Sequence, residues 1–147
     1  MSPRTAQKRR PQAPAPPSAP AAPRYSIALG WYEAQEKSLT TLLVRCMCPK
    51  HQRRWSSAHT DRPPEEAIAA IKGCCSHGED FLASSLPLAE AIFRTLLSEG
   101  NQPVSAEEIA RRLAAWNTGQ DRARDVSPPT IVRLLEHTDS YGFRRVK

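Results

Sequence analysis

Two short Cys-x-x-His segments constrain this chain more than any other feature of its sequence. They are Cys48-Pro-Lys-His51 and Cys74-Cys-Ser-His77, and all four cysteines of the chain lie in or beside them. Two thiolates and two neutral imidazoles can surround Zn²⁺ as a closed tetrahedral set that has no net charge and no position for water. The spacing therefore predicts a structural zinc ion that joins the two segments.

The neighbouring thiols leave the exact ligand set open. The preferred set takes one cysteine and one histidine from each segment, which gives Cys48, His51, Cys74 and His77. Spacing cannot choose between adjacent thiols, so Cys46 and Cys75 are alternates for Cys48 and Cys74. Three other interpretations are less favoured: buried cysteines that pack as small hydrophobic residues, a disulfide, and a catalytic zinc ion.

The first 24 residues form the part of the chain least able to build a hydrophobic core. They are almost wholly Pro, Ala, Ser and Gln, with five basic residues and no acidic residue. Such a segment buries too little apolar surface to offset the entropy of ordering it, which predicts a disordered basic arm over residues 1–24. The arm carries five of the six net positive charges of the chain, so the remainder is close to neutral.

Residues 25–85 are predicted to form the zinc-binding module. Alternating apolar residues predict a strand over Tyr25–Tyr32. The segment Leu39–Cys46 fits both strand and helix spacing, and its β-branched residues favour a strand, which would complete a hairpin that leads into the first Cys-x-x-His segment. Prolines and acidic residues at its start predict a helix over Asp61–Lys72, which ends at the second segment.

Residues 86–147 are predicted to form a separate domain of three helices and a terminal strand. The first helix covers Leu86–Ser98, the second begins at the capping box Ser105-Ala-Glu-Glu108, and the third begins at Ser127-Pro128. A short strand over Tyr141–Val146 ends the chain. The expected fold class is therefore α+β.

From Leu88 to Val146, the chain resembles the winged helix-turn-helix superfamily of transcription regulators. The resemblance lies in the order of elements and in the segments Ile-Phe-Arg-Thr-Leu-Leu-Ser-Glu-Gly, Val-Ser-Ala-Glu-Glu-Ile-Ala-Arg-Arg-Leu and Val-Ser-Pro-Pro-Thr-Ile-Val-Arg-Leu-Leu-Glu. It implies that the third helix enters the major groove of DNA. The positions that it implies for DNA contact are Ser127, Thr130, Arg133 and His137 on that helix, with Arg144 and Arg145 at the DNA backbone.

Two pairs of arginines in the same domain also suit phosphate contact. Each pair taken alone is well explained as a solvated surface, but their position on one domain beside a basic arm favours a polyanion. The pairs are Arg111 with Arg112 and Arg122 with Arg124.

These features predict a non-enzymatic, nucleic-acid-associated protein, namely a zinc-containing transcription regulator that binds DNA. The alternative is a protein-interaction subunit of a larger nucleoprotein machine such as RNA polymerase or the ribosome. The sequence has no Ser/His/Asp order, phosphate-binding glycine loop or H-E-x-x-H motif of the common enzyme classes. It also has no transmembrane-length apolar run and no secretory signal, so we expect a cytoplasmic or nucleoid-associated protein with reduced thiols.

Overall fold

The computed structural model describes residues 22–57, 62–120 and 123–146. They form an α+β fold, as the sequence predicts, with a three-stranded antiparallel sheet and seven α-helices in the described part. The elements in chain order are β1 (Arg24–Ile27), α1 (Leu29–Ala34), α2 (Leu39–Arg45), α3 (Pro49–Ser57), α4 (Pro64–Gly73), a 3₁₀ turn (Cys75–His77), α5 (Leu88–Ser98), β2 (Val104–Ser105), α6 (Ala106–Thr118), α7 (Pro128–His137) and β3 (Phe143–Val146).

The sheet joins the two parts of the chain that the sequence assigns to separate domains. Its strand order is β2-β1-β3, so β1 from the predicted zinc module lies between the two strands of the predicted C-terminal domain. Tyr25 pairs with Val104 on one side and with Arg145 on the other. The N-terminal strand thus completes a sheet that the C-terminal residues cannot complete alone.

Helix α5 forms the centre of one continuous hydrophobic core. Its side chains Ile92, Phe93, Leu96 and Leu97 are fully buried. Their helical spacing in the sequence places these apolar residues on the side of the helix that faces the core. Helices α4 and α6 and strand β1 all pack against it. None of the helices in the described ranges combines the length and the apolar character needed to cross a lipid bilayer.

The predicted hairpin is wrong. The first strand ends at Ile27, and residues 29–34 continue as helix α1. The segment predicted as the second strand is helix α2, in which Leu39 and Leu43 face the core and Ser38 accepts a hydrogen bond from the backbone N–H of Thr41. The apolar spacing and this N-cap outweigh the strand preference of its β-branched residues.

Two further boundaries differ from the sequence analysis. Arg24, predicted to belong to the arm, is the first residue of β1, while residues 1–21 lie outside the described part of the chain. The segment after Cys48, to which the sequence analysis assigned no helix, is helix α3. The four other predicted elements, α4, α5, α6 and β3, are confirmed within a few residues of their predicted limits, as is the start of α7 at Pro128.

Asn101 fixes the end of α5 against the sheet. The residue has a positive φ of 60°, a conformation that asparagine tolerates better than most residues. Its amide side chain accepts a hydrogen bond from the N–H of Ile27 (2.7 Å) and donates one to the carbonyl of Ile27 (2.9 Å). The side chain thereby satisfies both backbone groups of the last residue of β1.

Candidate metal centre

The first two candidate ligands lie one turn apart at the start of α3. Cys48 directly precedes the helix, its carbonyl accepts the N–H of Gln52, and Pro49 occupies the first helical position, where proline is favoured. His51 follows three positions after Cys48, which places both side chains on one face of the turn. Their Sγ and Nδ1 atoms are 3.3 Å apart.

The third candidate ligand comes from the end of α4. This helix stops at Gly73, and the chain then tightens into the 3₁₀ turn Cys75–His77. The turn buries Cys75, which is 3% exposed, and leaves Cys74 exposed. The thiol of Cys75 lies 3.5 Å from the thiol of Cys48.

Cys48, His51 and Cys75 lie close enough to bind one metal ion. Their ligand atoms all fall within 4.8 Å of one another. Ligand atoms at the corners of a tetrahedron around Zn²⁺ are expected roughly 3.5–3.8 Å apart, given bonds of about 2.3 Å to sulfur and 2.0 Å to nitrogen. The observed separations of 3.3 and 3.5 Å are close to these values, so the three side chains fit such an ion with small adjustments.

The preferred ligand set from the sequence is only partly reproduced. The group contains Cys75, the alternate, in place of Cys74, and it does not contain His77. Cys46, the other alternate, is also outside the group; burial raises the pKa of its thiol to about 11. A sequence signal for Cys75 exists, because Cys75 continues into the turn the i, i+3, i+7 spacing of Ile68 and Ile71 on the buried face of α4.

The two clustered thiols differ in their electrostatic surroundings. Hydrogen bonding with His51, with a smaller contribution from the contact with Cys75, lowers the pKa of Cys48 to about 6. Burial raises the pKa of Cys75 to about 11. In their contact, the Cys75 thiol donates to the sulfur of Cys48.

A small cavity of about 140 Å³ borders the cluster. Cys48 and Cys75 line it together with the carboxylate residues Glu79 and Asp80 and with Arg94. Arg94 does not carry a free charge there, because it forms an ion pair with Glu90 at 2.9 Å and donates to the carbonyl of Phe81. The three clustered side chains leave one position of a tetrahedral metal site unfilled, because neither Glu79 nor Asp80 belongs to the group.

Most of the arginines predicted to bind nucleic acid are engaged within the protein. Arg111 pairs with Glu108, and Arg112 pairs with both Glu99 and Glu108. Arg145 pairs with Glu136, whose carboxylate also accepts a hydrogen bond from Tyr25. Carboxylate partners reduce the charge that these side chains offer to a phosphate.

Arg124 has a structural position instead. Its guanidinium donates to the carbonyl of Leu86 and lies over the ring of Trp116. Its backbone N–H donates to Asn117. Arg122 lies outside the described residues.

The start of α7 is held by Asp125. The N–H of Ser127 and the hydroxyl of Thr130 both donate to the carboxylate of Asp125, at 2.9 and 2.6 Å. These bonds lower the pKa of Asp125 to about 2.

Of the predicted DNA contacts, Arg133 and Arg144 are exposed and take part in none of the salt bridges among the described residues.

Sequence reasoning missed the most basic helix. Helix α3 carries Lys50, Arg53 and Arg54 and has no acidic residue. All three cationic side chains are exposed. The signal was present as Pro49-Lys-His-Gln-Arg-Arg-Trp55, but the segment was interpreted only as a source of metal ligands.

Comparison with protein-family models, with curated proteins and with solved structures gives no match to this chain.

Proposed function

We propose that this chain is a non-enzymatic, zinc-containing protein that associates with nucleic acid, DNA in the first place, as a transcription regulator. The observation that carries the proposal is the convergence of Cys48, His51 and Cys75, since it ties the basic helix α3 to the end of α4. Thiolate and imidazole ligands favour Zn²⁺ among the common divalent ions, and two thiolates neutralise its charge.

The proposed role of the ion is structural. Its ligands come from two elements, the start of α3 and the turn after α4, that are distant in sequence. A metal ion that holds such elements contributes its binding free energy to folding. These three side chains would fill three positions of a tetrahedral site, and a water molecule would fill the fourth.

The C-terminal part supplies the proposed DNA-reading unit. Helices α6 and α7 pack on each other, and α7 packs on β3, in the helix, helix and strand order expected of a winged helix-turn-helix domain. Strand β1 pairs with β3 in antiparallel fashion and so gives β3 a neighbour that the C-terminal sequence lacks. Exposed Arg133 and Arg144 are the side chains on this unit best placed for phosphate.

The test is a fluorescence anisotropy titration of a labelled DNA duplex with the full chain loaded with one equivalent of Zn²⁺. We expect binding at low salt. The logarithm of the binding constant should fall linearly with the logarithm of the salt concentration, because neutralised phosphates release counterions. A single-stranded RNA of the same length separates DNA preference from general polyanion binding. Absence of binding to every nucleic acid at low salt would refute the proposal.

A second candidate function is a protein-interaction subunit of a nucleoprotein machine. The observation in its favour is the ion pairing of Arg111, Arg112 and Arg145 with glutamates of the same chain, which leaves the C-terminal surface nearly neutral. A stoichiometric protein partner that co-purifies from cells, together with weak DNA binding of the isolated chain, would favour this function.

A further inference from the structure

We propose that the outward face of helix α3 is a contact surface for the phosphate backbone of nucleic acid. This inference rests on the proposed function and locates its main electrostatic contact outside the winged-helix-like part. The residues of the surface are Lys50, Arg53 and Arg54, called here the α3 cationic face.

The two sides of α3 have opposite roles. The inward side consists of the candidate ligand His51, Gln52, which donates to the carbonyl of Val44, and Trp55, which is 4% exposed. Lys50, Arg53 and Arg54 follow the spacing i, i+3, i+4, which places three cations within one turn of the opposite side. Anchoring the inward side therefore places the three exposed cations together on one side of the helix.

The surroundings of α3 extend its positive charge. Arg45, at the end of α2, is 61% exposed although it lies 3.6 Å from Glu90. Arg62, which precedes α4, lies over the ring of Trp55 at 4.6 Å and brings a further guanidinium to this helix.

The chemistry of the helix favours nucleic acid over a membrane surface. Helices that lie in a lipid interface insert an apolar face with large hydrophobic side chains. The one aromatic residue of α3, Trp55, is instead buried against the protein. Two arginines and a lysine suit phosphate oxygens, which accept both forked guanidinium and single ammonium hydrogen bonds.

The metal centre links this surface to zinc. His51 lies between Lys50 and Arg53 in sequence, so a metal ion bound to His51 fixes the rotation of the helix about its axis. Loss of the ion frees the start of α3, and the cations no longer share one orientation. Chelation is therefore expected to weaken nucleic-acid binding as well.

The experiment compares two double variants of the zinc-loaded full chain that lose the same charge. Lys50→Gln with Arg53→Gln removes two cations of the α3 cationic face, and Lys37→Gln with Lys72→Gln removes two exposed lysines elsewhere. Binding to a labelled DNA duplex is measured by anisotropy across a salt series.

We expect the α3 variant to bind about 10- to 50-fold more weakly at low salt, because two phosphate contacts are lost. For the same reason, the slope of the logarithm of its binding constant against the logarithm of the salt concentration should be shallower by about 2. The control variant is expected to stay within about threefold of the wild type, since its lysines make no phosphate contact.

The possible outcomes separate the two proposals. If the wild-type chain binds no nucleic acid, the proposed function fails and this inference fails with it. If the wild type binds DNA and the α3 variant behaves as the control, while Arg133→Gln with Arg144→Gln weakens binding, the proposed function stands and this inference is wrong. Binding of the α3 face to vesicles of anionic phospholipid, with no loss of DNA affinity in the α3 variant, would also overturn it.

Discussion

The thiol of Cys75 lies 3.5 Å from the thiol of Cys48, although the two residues are 27 positions apart in the sequence. Helix α4 lies between them in the chain and brings the second thiol back to the start of α3. The proximity of these two sulfur atoms is the geometric basis of the proposed zinc site.

Metal content is expected to follow the structural cluster and not the preferred ligand set of the sequence. We expect one equivalent of zinc per chain in the wild type and strong loss of zinc in Cys48→Ser and Cys75→Ser, since each removes a thiolate ligand. Cys74→Ser is the matched control, because Cys74 adjoins Cys75 but is exposed. Mass spectrometry of purified, reduced protein provides the measurement, and equal zinc loss in Cys74→Ser would contradict the assignment.

Zinc removal is expected to loosen α3 and the turn after α4 more than the sheet. The proposed ion holds these two elements, whereas β1, β2 and β3 are joined by backbone hydrogen bonds. Hydrogen exchange measured with and without a chelator should therefore speed up over residues 49–55 and 73–78 first. Uniform exchange protection after chelation would show that the ion is not structural.

Replacement of Arg94 is expected to destabilise the fold. Glu90 is 7% exposed and depends on Arg94 for two hydrogen bonds, with Arg45 more distant at 3.6 Å. Arg94→Met leaves a buried carboxylate poorly paired, and we expect a loss of about 3 kcal/mol in the free energy of unfolding. The double variant Glu90→Gln with Arg94→Met should recover part of that loss in urea denaturation. Strict additivity of the two single variants would argue against the coupling.

Asn101 is expected to matter for stability through its two hydrogen bonds to Ile27. Asn101→Ala removes both bonds and places a β-carbon on a left-handed backbone, so we expect a loss of about 2 kcal/mol. Asn101→Gly loses the same bonds but tolerates the positive φ. Urea denaturation should rank the wild type above Asn101→Gly and Asn101→Ala last; an unfolding midpoint of Asn101→Ala equal to that of the wild type would rule out this role.

The hydrogen bonds of Asp125 predict an acid-dependent contribution to stability. They lower its pKa from 3.8 to about 2 in the folded chain, so folding favours the ionised carboxylate. This contribution is fully present above about pH 4 and is lost as the pH falls through about 2. The melting temperature of the wild type should exceed that of Asp125→Asn at pH 5, and the difference should disappear near pH 2. Asp139→Asn, in the exposed segment after α7, serves as the control, and a difference that persists at pH 2 would contradict the assignment.

Much of the helical structure was readable from local signals. The predicted helix start at Ser105 is confirmed, since the Ser105 side chain accepts the N–H of Glu108, while the Glu108 carboxylate accepts hydrogen bonds from Arg111 and Arg112. Apolar spacing located α5 and α6 because burial of one helical face is the main source of their stability. The same spacing was also present in Leu39, Leu43 and Cys46, where strand propensity misled the interpretation.

The candidate site shows what local signals leave undecided. The sequence singled out the two Cys-x-x-His segments but could not choose between Cys74 and Cys75. That choice depends on the 3₁₀ turn after Gly73, which buries one thiol and exposes its neighbour. The pairing of Arg112 with Glu99 likewise depends on the packing of α6 against α5.

The sequence by itself determined the identity and order of most helices and the segments that could hold a metal ion, because periodicity and ligand spacing act over a few residues. Only the tertiary structure decided that β1 lies between β2 and β3, that Cys75 meets Cys48 and His51, and which arginines find a carboxylate. Those outcomes depend on contacts between residues distant in the chain, whose geometry is set by how the whole core packs.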